Sequence, residues 1–268
     1  MVGLIINWRP EHALIAEAFS RGIGNHGGSC NQQEWPLNSN CAPPIPRHDG
    51  SVKILLCTNN GDTAIDRAVD ALLKAVVGAE ITVCAHGEHD SGWLAMHCLN
   101  QGARDFFNSS SMPRTLAIRS VEYALKGRAP YPKFNVEIVP GSRVFVSTPY
   151  PEAEADISAI EEAINFAGYT PHVSRETHPP AELYTKVTNE ICDSQLVVAN
   201  CTAYSRSDHN ANVFLEVGFA LAKGIPVIFF RRVGSPPLPS LVRGKMCPEY
   251  YTPADLAVQL YYGLKRIS

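Results

Sequence analysis

Short apolar runs alternate with amphipathic stretches along the chain, and the alternation runs through twice. In the first block VGLIIN (2–7), KILLC (53–57), AEITVCA (79–85) and RDFF (104–107) read as strands. Between them PEHALIAEAFSR, Thr63 to Val77 and SGWLAMHCLNQG (91–102) read as helices, and PRTLAIRSVEYALKG (113–127) closes the block with Pro113 in its first turn. In the second block the strands are RVFVSTP (143–149), YTPHVS (169–174), SQLVVANCT (194–202) and IPVIFFRR (225–232). The helices are Ala153 to Ala167, stopped by Gly168, then Pro180 to Cys192, a helix inside HNANVFLEVGFALAKGIPVIFF (209–230), and Pro253 to Arg266. Such alternation predicts parallel sheets with helices on their faces.

Two stretches interrupt the pattern. Residues 22–50 are rich in Gly, Pro, Asn and Ser and predict a long loop. Residues 128–142, RAPYPKFNVEIVPGS, predict a linker with FNVEIV as a candidate strand. The expected organisation is therefore a domain over 1–127, a linker over 128–142 and a domain over 143–268.

Composition narrows the partners. The formal net charge is −3, which gives no electrostatic case for nucleic acid or an anionic membrane surface. No apolar run approaches the roughly 20 residues of a membrane span. The first residues, MVGLIINWRPEHALIAEAFS, do not read as a signal peptide. Eight cysteines are present, most of them inside apolar runs, and none forms a CxxC pair. That usage predicts a reduced, cytoplasmic protein. His26, Cys30, Cys41 and His48 could be imagined around zinc, but their spacing matches no standard finger.

Residues 79–127 resemble the second half of a response-regulator receiver domain, through ITVCAHGEHD, LNQGARDFF and PRTLAIRSVEYALKGR. Phosphorylation in that family needs acidic residues after the first strand, an aspartate after the third and a lysine after the fifth. Here those places hold Asn7 and Trp8, then Leu56, Cys57 and Thr58, then Asn108 and Ser109; Asp62 falls several residues late. The resemblance implies a pseudo-receiver that is not phosphorylated.

Residues 143–230 resemble the nucleoside 2-deoxyribosyltransferase-like family, which includes nucleoside 5′-monophosphate N-glycosidases. RVFVSTPY, ICDSQLVVANCT, NANVFLEVGFALAKGIPVIFF and, more weakly, SLVRGK carry the resemblance. Together the two resemblances imply two flavodoxin-like, Rossmann-like three-layer α/β domains with mainly parallel sheets. They also imply cleavage or transfer at the N-glycosidic bond of a nucleoside or nucleotide, a homodimer, and no cofactor or metal. A non-catalytic nucleotide-sensing module and a TIR-like NAD-cleaving enzyme are the alternatives.

The resemblance assigns the nucleophile to Glu216, placed in the first turn of an apolar helix. A carboxylate there must be paired, exposed at the helix end or held for chemistry. Helix N–H groups near Asn212 could hold a phosphate or hydroxyl, and Gly218 lets the helix pack closely. Ser147, Thr148, Pro149 and Tyr150 follow the first strand, where hydroxyls suit phosphate or ribose and the tyrosine could stack on a base. Arg175 is a candidate phosphate ligand. Asn210 stands where the transferases have an aspartate, and Asp208, eight residues before Glu216, is the candidate to replace it. Asn200 replaces the strand-end aspartate of an Asp-x-Thr pattern that continues to Thr202. An amide cannot act as a general acid, so Asp208 and His209 are the candidates for protonating the leaving group.

Overall fold

The computed structural model describes residues 2–6, 12–25, 28–34, 52–59, 65–75, 79–86, 92–108, 131–134, 136–150, 153–174, 180–204 and 210–265. The chain divides into two compact units, Met1–Pro130 and Tyr131–Ser268.

The first unit contains β1 (Val2–Ile6), α1 (Ala13–Asn25), β2 (Ser29–Gln33), β3 (Val52–Asn59), α2 (Ile65–Ala75), β4 (Glu80–His86), α3 (Gly92–Asn100) and β5 (Asp105–Asn108). Its five strands are parallel in the order β2-β1-β3-β4-β5. Ile5, Leu55, Cys57, Cys84 and Phe107 form one core with Ile15, Phe19 and Ile23 of α1. Strand β2 corrects the loop expected over 22–50. Among the described residues SCNQQ pairs with β1 alone, at the sheet edge, and no apolar pattern marks it. Cys30 of β2 packs against the same core. His26, Cys41, His48, Asp62 and the helix expected over 113–127 lie outside the described residues.

The second unit contains β6 (Arg143–Ser147), α4 (Glu154–Phe166), β7 (Thr170–Val173), α5 (Pro180–Cys192), β8 (Leu196–Asn200), α6 (Ala211–Ala222), β9 (Val227–Arg232), β10 (Glu249–Tyr250) and α7 (Pro253–Lys265). Its order is β10-β9-β8-β6-β7, again parallel throughout. Numbered within the unit, both sheets have the flavodoxin-like order 2-1-3-4-5. Every residue of β8 is buried, as a strand covered on both faces requires. Phe145 and Val197 pack with Ile191 of α5 and Ala220 of α6. Ala199 and Phe229 pack with Val213 and Val217 of α6. The opposite face carries α4 and α7, which pack on each other. Gly168 ends α4 with φ +92°, a conformation that L side chains rarely adopt.

Within the second unit, Tyr131 and Phe134 ahead of β6 pack on the rest of it. Tyr131 stacks on Tyr262 at 4.9 Å, and Phe134 meets Phe230 edge-on at 5.7 Å. The described residues of FNVEIV form no strand, whereas β10 is a strand of two residues that no pattern announces. Helix α7 admits Phe134 only because residue 263 is glycine. A Cβ there would run into the Phe134 ring. Gly263→Ala should therefore destabilise the second unit by roughly 1–3 kcal/mol. Urea unfolding checks this, and an unchanged midpoint would count against the packing described.

Candidate functional site

Where strand order reverses, neighbouring strands send their following helices to opposite faces and a crevice opens at their carboxyl ends. In the second unit that place lies between β6 and β8, which pair with Ser147 opposite Ala199. Side chains alternate along β6, so Ser147 shares the face of Phe145, which packs on α5 and α6. Its Oγ donates to Glu216 Oε2 at 2.5 Å.

Helix α6 starts earlier than its apolar pattern indicates. Asn210 is the N-cap, and its Oδ1 accepts from the N–H groups of Asn212 at 3.0 Å and Val213 at 3.4 Å. With Ala211 as the first helical residue, Glu216 is the sixth and lies in the second turn. This corrects its expected place in the first turn. The helix dipole acts mainly over the first turn and does not account for a carboxylate here. Asn210, expected at a catalytic position, holds the helix start instead.

Burial pushes the Glu216 carboxyl up to about 7, the Ser147 hydroxyl pulls it down, and repulsion from Glu190 pushes it up again. Glu190 Oε1 in turn lies 3.1 Å from His172 Nε2 and 3.9 Å from Lys186 Nζ. The His172 contact is an ion-pair distance that falls outside hydrogen-bond geometry. No ion pair engages Glu216 among the described residues. A carboxyl that changes charge near neutrality can both take and return a proton.

Across the sheet, a second polar cluster surrounds Asp156 in the first turn of α4. Asp156 is 1% exposed. It accepts from the Tyr204 hydroxyl, from the Tyr250 hydroxyl at 2.5 Å, from Asn200 Nδ2 at 3.4 Å, and from Arg232 Nη2 at 3.0 and 3.2 Å. Asn200 Nδ2 also reaches the Tyr204 hydroxyl at 2.9 Å. Thr202 Oγ1 donates to Asn200 Oδ1 at 2.6 Å and accepts from the Arg232 N–H at 2.9 Å. Burial first, then neighbouring phenol and carboxylate charge, raises the Tyr204 hydroxyl above the usual range. Burial followed by Asp156 does the same at Tyr250. Both hydroxyls therefore keep their protons and serve Asp156 as donors.

The structure thus brings Ser147 and Glu216 together and gathers Asn200 and Thr202 into a separate cluster. Thr148 is half-buried, and its hydroxyl has no hydrogen-bond partner among the described residues. Pro149 is buried, and its carbonyl accepts from the Ala153 N–H. Tyr150 is exposed, as is Asn212 in the first turn of α6. Gly218 is exposed too, and a Cβ there would meet nothing within 4 Å, which corrects the close packing expected of it. Ala220, in contrast, is fully buried. Arg175, Asp208 and His209 lie outside the described residues. Sequence reading assigns no site role to Asp156, Glu190, Tyr204, Tyr250 or Arg232. Only Asp156 left a signal, as a carboxylate inside a helical apolar face. Among the described residues no group of His, Cys, Asp and Glu could hold a metal ion, and no helix is long and apolar enough to cross a membrane.

No family model and no curated protein matches the chain. Among solved structures, it is similar to a protein described as a phosphosugar isomerase from Silicibacter pomeroyi DSS-3, with TM-score 0.28 and 12% identity over 100% of this chain and 85% of that one. It is also similar to the C-terminal domain of glucosamine-fructose-6-phosphate aminotransferase from Francisella tularensis, with TM-score 0.30 and 10% identity over 99% of this chain and 84% of that one. Neither likeness carries an argument about activity. These findings correct the recognition made from the sequence. No nucleoside deoxyribosyltransferase or receiver model matches, and these two solved structures are described as other proteins. Cleavage or transfer at an N-glycosidic bond is withdrawn with it, together with the sensor and TIR-like alternatives.

The raised carboxyl has a consequence for stability. In the unfolded chain Glu216 titrates near 4.5 and in the folded one near 7, so folding favours its protonated form. That contribution is fully present below about pH 4.5 and is lost as pH rises through about 7. Glu216→Gln keeps an acceptor for Ser147 and removes the charge. At pH 8 it should be more stable than the parent, by up to about 3 kcal/mol, with the difference vanishing near pH 4.5. Denaturant unfolding at both pH values measures it. A variant less stable than the parent at pH 8 would contradict this.

Proposed function

We propose that the second unit is an enzyme that moves a proton on a small carbonyl-bearing substrate, with Glu216 as the base. The observation that carries the reading is the Ser147–Glu216 hydrogen bond at the β6/β8 switch point. It fixes the carboxylate at the position where open α/β sheets bind ligands. One oxygen of Glu216 is held by Ser147, which leaves Oε1 to meet a substrate. A nucleophilic carboxylate works best fully ionised, whereas a base that must also return its proton works best near the ambient pH. Burial and Glu190 bring Glu216 to about 7 and so favour the second role. The reaction class is proton abstraction next to a carbonyl, with return of the proton to the same or the adjacent carbon.

Deuterium exchange tests this directly. Incubation of the full chain in D2O with dihydroxyacetone, glyceraldehyde, their phosphates and pyruvate should replace hydrogen beside the carbonyl of at least one compound, read by proton NMR. Glu216→Gln should slow that exchange by about 10²-fold or more. Exchange at the parent rate in the variant, or none above background with any of the compounds, would defeat the proposal.

A further inference from the structure

Arg232 stands at the carboxyl end of β9, on the face of the sheet opposite Ser147. Its side chain is 40% exposed, and Asp156 engages only Nη2. Nε is buried with no hydrogen-bond partner among the described residues. The guanidinium carbon lies 5.6 Å from the Tyr204 ring centre and 5.8 Å from that of Tyr250, so the two aromatic faces fix its plane. Asp156 already accepts from two phenols and the Asn200 amide. Its charge is shared among four donor groups, and the guanidinium keeps N–H groups to offer elsewhere. An arginine held rigidly with donors to spare matches an oxyanion in geometry as well as charge.

A further observation lies nearby in the sequence of the fold. The segment joining β6 to α4 carries Thr148, whose buried hydroxyl has no hydrogen-bond partner among the described residues. Helix α4, whose first turn carries Asp156, follows that segment. Buried polar atoms without partners are uncommon and need an account.

We propose that Arg232, braced by Asp156, Tyr204 and Tyr250, is an oxyanion anchor at the carboxyl edge of the second sheet, taking a phosphate or carboxylate group. Two strand spacings, roughly 10 Å, separate β6 from β9. The anchor stands on its own residues; only its service to the same substrate rests on Glu216 as the base, and it then makes that substrate an anionic carbonyl compound.

The test is a titration of the 15N-labelled full chain with inorganic phosphate and, separately, with acetate, following the Arg232 Nε–Hε resonance. That resonance is assigned by its loss in Arg232→Lys. A saturable shift with either anion is expected, and the arm that responds says which oxyanion the site prefers. Arg232→Lys keeps the charge and loses the fork, so binding, read from other shifted resonances, should weaken at least about tenfold. No shift of Arg232 with either anion, or equal binding by Arg232→Lys, would overturn the anchor. Either failure leaves the Glu216 reading untouched, because deuterium exchange tests that separately.

Discussion

The pairing of β6 with β8 decides where the crevice of this unit opens. Once strand 1 and strand 3 of the unit lie side by side, with Ser147 opposite Ala199, their following helices must leave on opposite faces. Ser147 then ends β6 on the α6 side, and Asn200 ends β8 on the α4 side. The two polar clusters follow from that divergence. One holds Glu216 through a single hydroxyl; the other holds Asp156 through four donor groups.

The two carboxylates differ because their surroundings differ. Asp156 is buried with two phenols, an amide and a guanidinium around it, which satisfies the charge fully. Glu216 is half-buried with one hydroxyl on it, and a second carboxylate stands near enough to repel it. Such an arrangement lowers stability above neutral pH and leaves a group poised to exchange a proton. A carboxylate retained at that cost, in the crevice the topology creates, is hard to explain as packing.

Much of the architecture could be read from periodicity. The continuous apolar runs of β3, β4, β8 and β9 belong to strands covered on both faces, and the helices between them follow the same logic. Strands β2 and β10 escaped notice because SCNQQ and EY carry no apolar pattern and are placed only by their neighbours. Glu216 was conspicuous as a lone charge in an apolar helix. It lies in the second turn and not the first because Asn210, a residue with strong N-cap preference, starts the helix. The bracing of Arg232 was illegible, since it joins residues 76 apart in the sequence. The order Asn-x-Asn-Val, then Glu-x-Gly in an apolar helix, then a buried strand suggested a family. A capped, buried helix leading into a central strand serves any unit of this architecture, so the order fixes neither family nor activity.

At the β6/β8 switch point Glu216 is held close to neutrality. A carbon-detected NMR titration of the Glu216 δ-carboxyl in the full chain measures this without any substrate. The expected midpoint is about 7. A midpoint near 4.5, the value of an ordinary glutamate, would contradict the account.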